Sequence, residues 1–147
     1  QRQMCIRDRH NTGQKVIPVI IDSYGGQVYS LMTMISAIKS AKLPVATIVT
    51  GKAMSCGAIL ATFGHKDMRY MDPNATVMIH DVSSMSWGKI EELKSSTAEA
   101  DRLNTIVFQM MAKNCGKKKN YFDSVTCIIY RLLNSWFFAD ALDFNSW

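Results

Sequence analysis

Gly51-Lys52-Ala53-Met54-Ser55-Cys56-Gly57-Ala58-Ile59-Leu60 lies where one hydrophobic pattern gives way to another. Before it, Val45 to Val49 is a β-branched apolar run that predicts a strand. After it, small and apolar residues continue to Gly64, a stop signal for a short helix. Ser55 stands at the junction among small neighbours. A serine in the first turn of a helix has unpartnered backbone N–H groups beside it and the positive end of the helix dipole behind it, which favours charge developing on a nucleophile. The same position is a preferred place for an N-capping serine, and this stretch alone leaves both readings open. Alanine at position 53 excludes the Gly-x-Ser-x-Gly elbow.

Upstream, Val16 to Ile21 is an apolar run interrupted by Pro18, as in a strand covered on both faces. Asp22-Ser23-Tyr24-Gly25-Gly26 follows at its carboxyl end, where ligands gather in α/β layers. Val28, Leu31, Met32, Ile35 and Ile38 recur at helical spacing and predict a helix from about Gln27 to Lys39. Strand, helix and strand make a parallel crossover, so the glycine loop and Ser55 are expected at the same end of the sheet.

Downstream, Met68 to Met71 reads as a short strand and Asp72-Pro73-Asn74 as a turn. Thr76 to His80 reads as a strand that ends in a histidine. From Gly88 onward, Ile90, Leu93, Thr97, Ala100, Leu103, Val107 and Met110 mark one face of a long helix ending near Gly116. Its near-heptad spacing suits packing along a partner helix. Beyond Phe122 no convincing element is expected, and Gln1 to Gln14 has neither helical nor strand periodicity.

With 147 residues, 48% of them hydrophobic and 20% charged, the chain has the composition of one globular domain. No apolar run is long enough to span a bilayer and no signal-peptide pattern is present, so a cytoplasmic location without a membrane partner is expected. Cys5, Cys56, Cys115 and Cys127 are scattered, without a Cys-x-x-Cys pair, so neither a zinc site nor a disulfide framework is expected. The formal charge of +5 draws on Arg2, Arg7 and Arg9 and on the solvated cluster Lys117-Lys118-Lys119, and no nucleic-acid partner is expected. His10 and His65 lack companions at ligand spacing, so no metal is assigned.

Taken in order, Ser23-Tyr24-Gly25-Gly26, Gly51-Lys52-Ala53-Met54-Ser55-Cys56-Gly57-Ala58 and Met78-Ile79-His80 resemble the proteolytic subunit of the ATP-dependent Clp proteases, a serine peptidase family of the ClpP/crotonase fold. The resemblance runs from about Val16 to about Phe122. It implies an α/β fold of repeated β-β-α units with a protruding handle helix, here at about 87–115. The resulting division is a non-family segment at 1–14, a peptidase domain at 15–122 and a divergent C-terminus at 123–147. The family also has an N-terminal helix, strand and axial loop before this point, so the sequence is expected to be a fragment. Tyr24 stands where the family has proline, which removes a fixed φ from the loop.

The resemblance implies Ser55 as nucleophile, His80 as general base, and the N–H groups of Gly26 and Cys56 as the oxyanion hole. A neutral imidazole can take the serine proton and return it to a leaving amine. The third group is expected among the C-terminal acids, with Asp140 ahead of Asp143 and Asp123. Asp81 adjoins His80 but, in a strand, should face the opposite way. No cofactor is expected in the chain itself. ATP would be used by a partner AAA+ unfoldase, since the chain has no phosphate-binding Gly-x-x-x-x-Gly-Lys-[Ser/Thr] loop. Other implied partners are further copies in stacked rings and unfolded polypeptide substrates. Alternatives are a catalytically silent ring subunit, a crotonase-type acyl-CoA enzyme, and a signal-peptide or phage-head maturation peptidase.

Overall fold

The computed structural model describes residues 13–83, 86–122 and 127–131. Its element order is β1 (Ile17–Ser23), α1 (Val28–Lys39), β2 (Val45–Met54), α2 (Cys56–Ala61), β3 (Arg69–Met71), β4 (Thr76–His80), α3 (Ile90–Asn114) and β5 (Cys127–Arg131). β1 pairs in parallel with β2 from Ile17↔Val45 to Ile21↔Val49, the crossover expected from the strand, helix, strand order. β3 joins β2 at Thr47–Val49 and β4 joins it further along, both in parallel. The sheet order is β1-β2-β4-β5, with β3 beside β2. The expected mixed α/β architecture with a mainly parallel sheet is therefore what the chain adopts.

Two strands run further than their sequence patterns suggest. β2 continues past Val49 because Lys52, Ala53 and Met54 take Thr76, Val77 and Met78 of β4 as partners. β1 continues to Ser23, where a register shift brings Ser23 opposite Ala53. Both extensions carry the chain towards the Ser55 junction. β5 is a strand where no element was expected. It pairs antiparallel with β4 from Thr76↔Arg131 to His80↔Cys127.

One face of α1 buries Leu31, Ile35 and Ile38 against Ile17, Ile21, Val45 and Val49 of the sheet. All six residues of α2 are buried, so this short helix is held by packing on every side. It ends at Ala61, before the expected stop at Gly64. Thr47 in β2 is fully buried, and its hydroxyl donates to the Ala61 carbonyl at 2.7 Å, satisfying one of the carbonyls a helix end leaves open. Thr47→Val keeps the shape and removes that donor. It is expected to lower unfolding free energy by about 1–3 kcal/mol in a urea titration.

α3 departs from the expected stripe. Ile90 is 71% exposed, and the buried positions are Leu103, Val107, Phe108, Met111 and Ala112. Phe108 packs near Phe122, with ring centroids 6.1 Å apart. Among the described residues, only the C-terminal half of the helix has a core to face. Its exposed first half is tied to α1, because the Tyr29 hydroxyl donates to Glu99, whose carboxylate also accepts two bonds from Arg102 at 2.7 Å. The C-terminal end matches expectation. Gly116 has φ +63, its N–H donates to the Lys113 carbonyl at 3.2 Å, and the Lys117 N–H donates to the Ala112 carbonyl at 2.8 Å. This is the pair of bonds of a Schellman cap.

Two polar residues away from the Ser55 junction have structural partners. Arg69 donates to the Asn114 carbonyl at the end of α3, 2.9 Å away. His65 accepts the Val45 N–H on Nδ1 at 3.0 Å and donates its own N–H to the Val45 carbonyl at 2.8 Å.

Candidate active site

Ser55 joins β2 to α2 with φ 53 and ψ −121, and its side chain makes no capping bond. An N-capping serine has extended backbone angles and turns its oxygen onto the following N–H groups. Ser55 does neither. A positive φ in a residue with a Cβ costs about 1–3 kcal/mol and persists only where the surroundings impose it. Here they do. The Ser55 N–H donates to the Met78 carbonyl of β4 at 2.8 Å, while its own carbonyl accepts from Ala58 and Ile59 at 3.0 and 3.2 Å. The junction is pinned on both sides, and the hydroxyl makes no capping bond and lies beside the Cys56 thiol.

The glycine loop lies directly against this junction. Gly25 has φ +105, and a Cβ built on it would come within 2.8 Å of both the Met54 carbonyl oxygen and Ser55 Cβ. Only glycine fits that close approach. The Gly25 N–H donates to Ser23 Oγ at 3.1 Å, closing the turn. The Cys56 thiol donates to the Gly26 carbonyl at 3.1 Å, linking the two segments expected to supply oxyanion donors. Cys56 is a buried thiol. Burial pushes it up from its ordinary pKa, against smaller opposing effects of the Gly26 backbone, the Ser55 hydroxyl and its own backbone. A cleft of about 230 Å³ lies beside the loop, with Ser23, Gly26, Gln27, Met34, Cys56 and Gly57 among its walls.

Where the family has proline, Tyr24 is 77% exposed and lies under Lys52, whose Nζ is 4.3 Å from the ring centroid. The same Nζ is 2.7 Å from Asp22 Oδ1. The hydrogen bond to Lys52 holds the Asp22 carboxyl below its ordinary value, the bond to Asp22 raises Lys52, and solvent exposure makes the pair a modest tie. Lys52 thus spans the loop from its strand side, a role that its position among small residues did not announce.

His80 ends β4, two residues beyond the Met78 carbonyl that holds Ser55. The parallel pairing of β2 with β4 places the two residues at the carboxyl ends of neighbouring strands. Among the described residues neither side chain bonds the other. His80 Nδ1 is instead in hydrogen-bond contact with the Asp81 backbone carbonyl. Asp81 lies just beyond β4, and its carboxylate accepts from Asn104 Nδ2 of α3 at 3.1 Å. Asn104 Oδ1 accepts the Val82 N–H at 3.0 Å. Asn104 had no signal in the sequence reading, because a polar residue in the middle of a long helix is ordinarily solvent-facing.

The sequence's candidates therefore divide. Ser55, Cys56 and Gly26 lie together, His80 sits on the adjacent strand end, and Asp140, with Asp143 and Asp123, lies outside the described residues. Among those described, no group of three or more His, Cys, Asp or Glu side chains could hold a metal ion. No described helix is long and apolar enough to cross a membrane.

A known protein family also covers these elements. The family model described as Clp protease matches residues 2–126, which takes in every element from β1 to α3 together with Ser55 and His80. The match begins inside the 1–14 segment and ends just beyond Phe122.

Proposed function

Because the chain belongs to the Clp protease family, a family of peptidases, we propose that it is a serine endopeptidase subunit that degrades unfolded polypeptides inside a compartmentalised, ATPase-coupled protease. The observation that carries the reading is the backbone of Ser55: a positive φ, no capping bond, and a direct tie to the strand that ends at His80. Strain of that kind marks residues held for a task other than stability.

In this reading Ser55 Oγ attacks the scissile carbonyl while His80 Nε2 takes its proton. The carbonyl oxygen becomes an oxyanion, accepted by the Gly26 and Cys56 N–H groups. The proton passes from His80 to the leaving amine as the C–N bond breaks, and an acyl-enzyme remains on Ser55. A water molecule then attacks the acyl carbon while His80 takes its proton, and that proton returns to Ser55 Oγ as the ester bond breaks and the carboxylate leaves. The contact between Ser55 and His80 that this requires can tighten when substrate binds, as catalytic hydrogen bonds often do. Asp140 is the carboxylate proposed from the sequence to orient His80.

The wider setting belongs to the same proposal. The chain works in the cytoplasm as one of many copies in stacked rings, fed by an AAA+ unfoldase that consumes ATP, and needs no cofactor of its own. The exposed first half of α3 is the handle through which such rings would meet.

The reading is checked by incubating the purified, folded chain with a fluorophosphonate serine probe and locating the adduct by mass spectrometry. The expected adduct is on Ser55. A folded sample without it, or labelled elsewhere, overturns the serine-peptidase reading and leaves the silent ring subunit.

A further inference from the structure

We infer that Lys52 is a positioning residue for the glycine loop: its ammonium, seated between the Tyr24 ring and the Asp22 carboxylate, restrains the turn that carries the Gly26 N–H. The inference rests on the peptidase reading above and adds to it a residue that acts on the oxyanion donors through its neighbours.

Such a turn needs a restraint from outside itself. Gly25 has φ +105 and Gly26 φ +155, and consecutive glycines can leave those angles for others at little cost. Tyr24, the residue before them, is largely exposed, so burial does little to fix it. On the helix side, the Cys56 thiol reaches the Gly26 carbonyl at 3.1 Å, and Gly25 lies close against Met54 and Ser55. On the strand side the contact is Lys52, whose Nζ is 4.3 Å from the Tyr24 ring centroid and 2.7 Å from Asp22 Oδ1.

The backbone is shaped to deliver that ammonium. Between the pairs Ile21↔Val49 and Ser23↔Ala53, β1 contributes one residue, Asp22, and β2 contributes three, Thr50, Gly51 and Lys52. The surplus is a bulge, which re-aims a side chain and is common beside active sites. Lys52 itself pairs with Thr76 of β4, so its backbone is fixed while its side chain reaches the loop. Ile21 and Ala53 are buried, and alternation sends their neighbours Asp22 and Lys52 together to the opposite face. Gly51 leaves room for the carboxylate, since a Cβ on it would stand 3.0 Å from Asp22 Oδ1. A cation over an aromatic face and beside a carboxylate makes two attractions at once, each small at an exposed site. Together they bias a glycine turn whose alternatives differ little in energy.

Two readouts test this, and one needs no activity. In hydrogen exchange followed by mass spectrometry, the peptide covering residues 23–27 is expected to exchange about 3- to 10-fold faster in Lys52→Met than in the wild-type chain, with no change around Gly116. Fluorophosphonate labelling of Ser55 is expected to slow by about 3- to 10-fold, because the rate scales with the fraction of chains whose loop is in place. Methionine keeps most of the apolar stem, so the loss is that of the charge. Lys52→Arg retains a cation that stacks on aromatic rings and is expected to bring both values back to within about twofold of the wild type. Tyr24→Ala removes the ring from an exposed site and is expected to reproduce both changes. The double variant Tyr24→Ala/Lys52→Met should then be no slower than the slower single variant, since both act through one contact. Unchanged exchange in Lys52→Met, faster exchange with unchanged labelling, additive losses in the double variant, or a Lys52→Arg chain as loose as Lys52→Met each overturns the inference. The expected exchange pattern in a wild-type and variant set whose Ser55 takes no adduct would support the restraint and count against the peptidase reading alone.

Discussion

His80→Ala is expected to lower the rate of Ser55 acylation by about 10⁴- to 10⁶-fold while leaving the fold intact. The size follows from the interdependence of nucleophile and base, since removing either member of such a pair costs nearly as much as removing both. Of the described residues against Ser55, Gly25 and Met54 carry no base and the buried Cys56 thiol is pushed up by burial, so none of these takes a proton at neutral pH. His80 is only half-buried at the end of β4, so truncation leaves no large cavity in the core. The effect is measured as the second-order rate of fluorophosphonate labelling, with circular dichroism to confirm the fold. A loss of less than tenfold would remove His80 from the chemistry and with it the assignment of general base.

Gly25→Ala is expected to slow the same reaction by about 100- to 1,000-fold, the usual consequence of losing one oxyanion donor. The cause is steric. With φ at +105, the new Cβ would stand 2.8 Å from the Met54 carbonyl oxygen and from Ser55 Cβ, and backbone on one side leaves little room to yield. The loop must lift away from the Ser55 junction, carrying the Gly26 N–H with it and breaking the 3.1 Å contact between the Cys56 thiol and the Gly26 carbonyl. Strain and repacking should also cost about 1–3 kcal/mol of stability, readable as a lower urea midpoint. Gly26→Ala separates clash from backbone strain, because its φ of +155 is also strained for a side chain but a Cβ there meets nothing within 4 Å. The steric argument fails if Gly25→Ala labels as fast as the wild type.

These two positions show how differently the sequence revealed its parts. The order of glycine loop, serine junction and histidine-ended strand was legible because each is a local pattern: apolar runs of strand length, small residues at a close approach, a helical spacing that changes where Ser55 stands. The parallel crossover followed from connection length and handedness, which depend on chain geometry more than on particular contacts. The cap at Gly116 was readable for the same reason, since a left-handed residue after a helix calls for glycine.

What the sequence could not show depends on partners far along the chain. β2 runs on to Met54 because β4 is there to pair with it, and β5 is a strand because β4 offers it an edge. The buried face of α3 moves to Phe108 and Met111 because, among the described residues, only that half lies over a core. Whether Ser55 was a cap or a candidate nucleophile was decided by its φ of 53 and its bond to the Met78 carbonyl, neither of which local composition encodes. Asn104 is the clearest case. Its residue type and helical position are unremarkable, and its use comes entirely from the α3 axis bringing one amide against the peptide that follows His80. Local periodicity determined the elements from β1 to α3 and their order; burial and cross-strand pairing decided β5 and which side chains meet, because those contacts exist only once distant segments have been brought together.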